Sequence, residues 1–480
     1  MQTISLLKEA NIEIPNIRCD SRKVELGDLF VAISCEYALH YVQQAIKAGA
    51  KVIVAEEFIC EQLKPFNQTI LFIPSSNPRL DLAKIASAFY SQQPQTIVAV
   101  TGTNGKSSIV NMLRQFWYAL GEKSASLGSL GLVVNPDFLN IKELDLPKLN
   151  SLDAINFHKT LTYLKINDVN HLAMEASSHG LDQARLHSAH LTAAGFTNLT
   201  QDHLDYHLTM EEYFIAKSKL FTEILPEGKT AVLNADSPYF FELKRLCKNR
   251  NQKIISYSIK QSADLSIENI RPIEQSIYFD LRVEGKLIPD QILPLVGYFQ
   301  LENLLCSIGL GLATSISLPS ILSALPTLKG VAGRMEFIGK KNGAPIFVDY
   351  AHTPDALECV LKNLKPHTNG SLCVVFGCGG DRDAGKRPLM GQIAEKFADK
   401  IIVTDDNPRF EEPAFIRKQI LEACSTAKEI GNRGEAIAVA IAGLKEDDVL
   451  LIAGKGHESG QIIGDTILPF SDQNEVLKHI

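Results

Sequence analysis

The chain has 480 residues, of which 45% are apolar and 21% charged, with a formal net charge of −7. These values exclude a disordered or fibrous chain, and the length exceeds what one ordinary core accommodates, so about three domains are expected. No global positive field argues for nucleic acid or an anionic membrane.

The N-terminus, Met-Gln-Thr-Ile-Ser-Leu-Leu-Lys-Glu, lacks a basic start followed by an apolar run, so no signal peptide is expected. The apolar runs, such as Val449 to Ala453, are strand-length and too short to span a bilayer. None of the nine cysteines forms a Cys-x-x-Cys pair. That usage predicts free thiols in a reducing compartment, hence a cytoplasmic protein without disulfides or zinc.

In chain order, the first region runs to residue 93. It holds short β-like runs at Leu29–Ile33, Val52–Ala55 and Thr69–Ile73 between helical patterns, and Gln-Gln-Pro-Gln at 92–95 closes it. The second, 94–329, opens on Thr96-Ile97-Val98-Ala99-Val100, a β-branched run suited to one buried strand. Strand–helix alternation is expected from there to residue 328. The third, 330–480, shows strands at 346–349, 372–376, 400–404 and 448–453, with helices near 389–398, 413–424 and 434–443. This alternation predicts an α/β protein of three domains. A smaller N-terminal α/β domain precedes a central, doubly wound, mostly parallel sheet of the P-loop type and a C-terminal Rossmann-like domain. Ligands on such sheets bind in the loops after the strands, and the unusual clusters of this chain fall in those loops.

After the strand at 96–100 comes Thr101-Gly102-Thr103-Asn104-Gly105-Lys106-Ser107-Ser108. A helix follows, with apolar residues at 109, 110, 113, 116, 117 and 120 and a stop at Gly121. Backbone N–H groups of a glycine-rich turn at a helix start suit phosphate oxygens. Lys106 supplies a mobile cation and the Ser107 hydroxyl a magnesium ligand, so ATP and magnesium are expected here. The strict Gly-x4-Gly-Lys-Ser/Thr pattern fails, because Val100 occupies its first glycine position. The cluster Gly377-Cys378-Gly379-Gly380-Asp381-Arg382 is no dinucleotide fingerprint, since Arg382 replaces the third glycine.

Met174-Glu175-Ala176-Ser177-Ser178-His179-Gly180 and Asp202-His203-Leu204-Asp205-Tyr206-His207 each follow a strand-like run. Glu175 and His203 are therefore expected at neighbouring strand ends, where they could share a divalent ion; carboxylate and water suit magnesium, imidazole less so. Lys217 lies in a helical pattern, and from spacing alone it reads as a solvated lysine.

Taken together, these strings resemble the Mur ligase family, the ATP-dependent amide ligases of peptidoglycan precursor synthesis. The matching segments also include Asp20-Ser21-Arg22, Gly333-Arg334-Met335-Glu336, Val348 to Asp355, Phe376 to Pro388, Asp405-Asp406-Asn407-Pro408-Arg409 and Gly454-Lys455-Gly456-His457-Glu458. The resemblance covers nearly the whole chain. It assigns UDP-substrate binding to 1–93, ATP binding to 94–329 and amino-acid binding to 330–480. It implies ATP on Gly102, Thr103, Asn104, Gly105, Lys106, Ser107 and Ser108, with Asn303 near the adenine and Arg334 and Asp349 closing over the nucleotide. Lys106, Glu175, His203 and Lys217 would be catalytic. Ser107, Glu175 and His203 would position magnesium, and Lys217, carbamylated by carbon dioxide, would hold a second ion. A carbamate needs a neutral amine, so the pocket must hold the Lys217 pKa below its usual ~10.4.

The implied substrates are UDP-MurNAc-dipeptide and meso-diaminopimelate. For the former, the family positions are Ser21, Asn150, Ser151, Ser177, Gln183 and Arg185. For the latter they are Arg382, Asp406, Asn407, Pro408, Arg409, Gly454 and Glu458. Asp406-Asn407-Pro408-Arg409 is the family's signature for diaminopimelate rather than lysine, because the Arg409 fork suits a far carboxylate that lysine lacks. A monomer without nucleic-acid or membrane partners is expected. Two segments depart from the family. Residues 34–41 read Ser-Cys-Glu-Tyr-Ala-Leu-His-Tyr, and 149–153 read Leu-Asn-Ser-Leu-Asp where the family has a Thr-Thr-Pro turn.

Overall fold

A computed structural model of the protein describes residues 13–480 apart from 67–68, 138, 140–143, 145–151, 201, 203 and 274. The chain forms two compact units, Met1–Tyr257 with Cys306–Ile321, and Ser258–Leu305 with Leu322–Ile480.

The first unit begins with a parallel sheet in the order β1 (Ile17–Arg18), β2 (Leu29–Val31), β3 (Val52–Ala55) and β4 (Leu71–Pro74). Both faces of β3 are covered, which is why Val-Ile-Val-Ala reads as an unbroken apolar run. Phe30 and Ile53 pack with Val42 and Ala45 of the helix Ala38–Ala48. Leu29, Val52 and Val54 pack on the opposite face with Leu82 and Ile85 of the helix Pro78–Phe89.

Seven further strands of this unit are β5 (Thr96–Thr101), β6 (Ser124–Gly128), β7 (Gly131–Asn135), β8 (His171–Glu175), β9 (Leu191–Phe196), β10 (Thr230–Asn234) and β11 (Lys253–Ser258). They lie in the order β11-β10-β9-β5-β8-β6-β7, parallel except for β7. β5 is central, and Ile97 to Val100 are wholly buried. Val100 pairs with Glu175 and Thr101 with Phe196, so the loops leaving β5, β8 and β9 emerge side by side. The helix Lys106–Ala119 buries Ile109, Val110, Leu113, Phe116 and Trp117, as its periodicity predicts. Leu120, also counted in that stripe, instead caps the helix and is exposed, and Gly121 follows at φ 82°.

In the second unit, the expected strand–helix alternation gives way to an antiparallel meander of β12 (Leu265–Ile273), β13 (Ser276–Val283) and β14 (Lys286–Leu293). Its two-residue connections leave no length for a helix, and only every second residue of β13 from Ile277 to Leu281 is wholly buried. The remaining strands are β15 (Glu336–Lys341), β16 (Ala344–Asp349), β17 (Leu372–Phe376), β18 (Lys400–Val403), β19 (Lys428–Glu429) and β20 (Val449–Ala453). Their order is β15-β16-β20-β17-β18-β19, parallel except for β15. Three loops that carry candidate residues follow β17, β18 and β20, and Asp349 ends β16. A hairpin, β21 (Gly460–Ile463) and β22 (Thr466–Pro469), lies just beyond. Among the described residues no helix is long and apolar enough to cross a membrane, and all nine cysteines are free.

Candidate active site

In the first unit, the turn after β5 is built around Gly102 at φ 142°, where an added Cβ would lie 1.9 Å from Thr197 Oγ1. Only glycine permits that approach of β5 to the loop after β9. The contact fastens the turn: Thr103 N donates to Asn198 O at 2.9 Å, Asn104 N to Asn198 Oδ1 at 2.9 Å, and Thr197 Oγ1 to Asn104 O at 2.6 Å. Gly105 at φ 88° then starts the helix, leaving backbone N–H groups at its first turn.

Lys106 Nζ donates to Gly102 O at 2.8 Å and Thr103 O at 2.7 Å, which holds the ammonium against the loop it serves. Ser107 Oγ donates to Glu175 Oε1 at 2.9 Å. The same carboxylate oxygen accepts Ser129 N at 3.0 Å and Ser129 Oγ at 3.1 Å. A hydroxyl from the first turn of the helix and a carboxylate from the end of β8 form an all-oxygen donor set, which fits a hard cation such as magnesium. Among the described residues no group of three or more His, Cys, Asp and Glu could hold a metal ion. His203, Asn150 and Ser151 lie outside the described residues.

Lys217 corrects the spacing argument. It is 1% exposed, and its Nζ donates to Gly102 O at 2.8 Å, the carbonyl that also accepts Lys106. The ammonium position is 4.4 Å from the centre of the Tyr213 ring. Burial, reinforced by the Lys106 charge and opposed by Asp202, holds the Lys217 pKa well below the usual lysine value. The surface expected from a helical pattern with four charges is here turned into the sheet's carboxyl edge.

Four further candidates share this unit. Ser177 caps a short helix by accepting Gly180 N at 3.0 Å. Gln183 Oε1 accepts Arg185 Nη2 at 2.7 Å and Arg79 Nη1 at 3.2 Å. Ser21 Oγ donates to Gln44 Oε1 at 2.8 Å in the N-terminal sheet region.

The second unit gathers the others. Asn303 Nδ2 donates to Gln300 Oε1 within the helix Phe299–Ala313. Asp349 accepts Met335 N at 2.6 Å and Ala351 N at 2.7 Å, and burial pushes its carboxyl pKa upward. The Arg334 guanidinium covers the Tyr350 ring at 4.7 Å. The loops after β17 and β18 interlock, since a Cβ on Gly380 would lie 1.9 Å from Pro408 O. Arg409, at φ 52°, donates Nη1 to Gly380 O at 2.8 Å and lies in a bridge with Ile463. Arg382 is exposed on the β17 loop. Asn407 Nδ2 donates to Glu458 Oε2 at 2.9 Å, and Gly454 N to Asp349 O at 3.1 Å. Asp406 Oδ2 is buried without a hydrogen bond, 4.0 Å from Arg433 Nη1.

Similarity to known proteins interprets these loops. Residues 100–311 match the Mur ligase middle domain, and residues 333–456 match the Mur ligase, glutamate ligase domain. The UDP-N-acetylmuramoyl-L-alanyl-D-glutamate--2,6-diaminopimelate ligase of Caulobacter vibrioides is 45% identical over 470 residues, covering 97% of this chain and 95% of the relative. The chain belongs to the Mur ligase family. The enzyme of the same name from Bradyrhizobium diazoefficiens is 44% identical over 476 residues, with 97% and 95% covered. A solved structure of a ligase with that name superimposes with a TM-score of 0.73 at 32% identity, covering 97% of this chain and 94% of that one. The MurF ligase of Thermotoga maritima, solved in complex with ADP, shares the fold at a TM-score of 0.63 and 19% identity, with 97% and 96% covered.

Membership of the Mur ligases leaves several structural contributors that motif reading passed over. Arg387, 1% exposed, grips Glu411 through two hydrogen bonds of 2.9 and 2.8 Å and donates to Gln419 at 2.7 Å. Glu411 in turn accepts Asp381 N, which fastens the β17 loop to the β18 loop. Arg433 and Asp472, both fully buried, pair at 2.7 Å behind Asp406. Nothing in their sequence spacing marks these residues, because each partner lies 24 or more positions away.

Proposed function

We propose that this chain is an ATP-dependent ligase that adds meso-diaminopimelate to UDP-N-acetylmuramoyl-L-alanyl-D-glutamate in peptidoglycan precursor synthesis. What supports it most is identity of 42–45% along almost the whole chain to ligases named for that reaction. The Asp406–Arg409 loop, closed onto Glu458, supplies the matching pocket chemistry.

The first half of the reaction belongs to the phosphate loop. The turn Gly102–Ser108 holds the ATP phosphates through the N–H groups at the helix start, Gly105 to Ser108, while Thr103 and Asn104 spend theirs on Asn198, and Lys106 leaves its two carbonyl partners to meet the β- and γ-phosphates. The D-glutamate side-chain carboxylate attacks the γ-phosphorus, the bond to ADP breaks, and an acyl phosphate forms. Ser107 and Glu175, with His203, would hold magnesium, which supplies neutralisation of phosphate charge. Lys217, its pKa lowered by burial and by the neighbouring Lys106 charge, is suited to adding carbon dioxide at Nζ of its neutral form with loss of a proton to solvent. Asn303, Arg334 and Asp349 are assigned to the nucleotide, and Ser21, Asn150, Ser151, Ser177, Gln183 and Arg185 to the UDP-MurNAc-dipeptide.

The second half belongs to the amine. Its nitrogen attacks the acyl carbonyl, the bond to phosphate breaks, and an amide remains. Arg409 and Arg382 suit the far carboxylate of diaminopimelate, and Asp406, Asn407, Pro408, Gly454 and Glu458 complete the pocket. Residues 1–93, 94–329 and 330–480 serve the UDP end, ATP and the amino acid in turn, in a cytoplasmic monomer. Purified protein given UDP-MurNAc-dipeptide, ATP, magnesium and either diaminopimelate or lysine is expected to make product with diaminopimelate. Product from lysine alone overturns the amino-acid assignment.

A further inference from the structure

Lys455 lies in the loop after β20 and is fully buried. Its Nζ donates to Asn407 Oδ1 at 2.9 Å and to Glu458 Oε2 at 3.0 Å. Asn407 Nδ2 donates to the same Glu458 oxygen at 2.9 Å, so three side chains close a ring. The ring is anchored to the β21 hairpin, because Asn407 Oδ1 also accepts Ile462 N at 2.9 Å and Asp406 O accepts Gln461 Nε2 at 2.7 Å.

Burying an ammonium is unfavourable unless partners replace its water, and a methionine would fill the same space without that requirement. The ring explains the lysine. It occupies Glu458 Oε2 with two donors, while Oε1 accepts no hydrogen bond among the described residues and the side chain keeps 33% of its surface exposed. Asn407, 4% exposed, has its amide oxygen committed to Lys455 and Ile462 and its amide nitrogen to Glu458. Its side chain therefore works through Glu458. The second acid of the pocket differs, since Asp406 Oδ2 accepts no hydrogen bond and Arg433, bound to Asp472, stands 4.0 Å from it.

We propose that Lys455 is a positioning residue for amino-acid selection: it fixes the Glu458 carboxylate so that Oε1 is presented to the distal ammonium of the diamino acid. Lys455 itself touches no substrate. The inference rests on the diaminopimelate reading above and adds a residue to it.

The test compares kcat/KM for meso-diaminopimelate with that for 2-aminopimelate, which keeps both carboxylates and lacks the distal ammonium. Wild type is expected to prefer the diamino acid. In Lys455→Met the preference is expected to fall by about tenfold or more, the worth of one well-placed charge-assisted hydrogen bond. KM for ATP and for the UDP-MurNAc-dipeptide should stay within about twofold, since a residue that only positions Glu458 affects one substrate. An unchanged preference overturns the proposal, and so does an equal change in all three KM values, which marks a general structural role. If Lys455→Met does not fold, Lys455→Gln removes the charge while keeping a polar group in the same place, and the same loss of preference is required of it. A wild-type enzyme that uses neither amino acid overturns the ligase reading, and this inference with it.

Discussion

An ammonium group held away from water is destabilised relative to its neutral form, and Lys217 is held so beside a second lysine. Both donate to Gly102 O, and the proximity of Lys106 adds to the effect of burial. Lys217→Ala is expected to nearly abolish turnover, with partial recovery on adding short carboxylates that stand in for the carbamate; turnover near wild type excludes that role. The same residue makes a stability prediction whose sign follows from its depressed pKa. Between the folded value and the usual ~10.4, the unfolded chain binds the extra proton, so wild-type stability rises with pH. Lys217→Met, which has no proton to bind, should therefore be more stable than wild type near neutral pH in bicarbonate-free buffer. That advantage should shrink as pH approaches the ordinary lysine value, as denaturant midpoints at several pH values would show. The helical spacing of residues 210–219 does not reveal this environment, because burial of Lys217 depends on where the helix docks. Arg387 and Lys455 are illegible for a related reason, since Glu411, Gln419 and Asn407 reach them from distant parts of the chain.

Elements were more legible than side-chain partners. β5 and its helix follow from a β-branched run, a glycine turn and an apolar stripe, all local signals. The β17, β18 and β20 strands likewise sit where their apolar runs predict. The meander from 265 to 293 is not reached by that reasoning, since its half-buried strands carry polar residues that break up the apolar signal. At the β5 turn, the left-handed backbone and the approach to Thr197 leave no room for a side chain. Gly102→Ala is expected to lose the rise in melting temperature that ATP and magnesium give the wild type, because the N–H groups of the loop would be re-aimed. A variant that keeps the full rise would show that the turn tolerates the shift.

Across the whole molecule, binding to the folded state alone adds RT ln(1 + [L]/Kd) to stability. ATP with magnesium at one hundred times its Kd is expected to stabilise the protein by about 2.7 kcal/mol. EDTA should remove most of that gain if Ser107 and Glu175 hold the ion, and calorimetry with and without chelator measures it. The sequence by itself determined the α/β class, the glycine turn after β5 and the order of the motif strings, because each is written in contiguous residues whose local chemistry is strong. Tertiary structure decided which of those strings share a sheet edge, through the pairing of β5 with β8 and β9 and of β20 with β16 and β17. It also decided which charged residues are buried, including Lys217, Arg433 and Lys455. Burial depends on what packs over a residue from distant parts of the chain, and no local pattern carries that information.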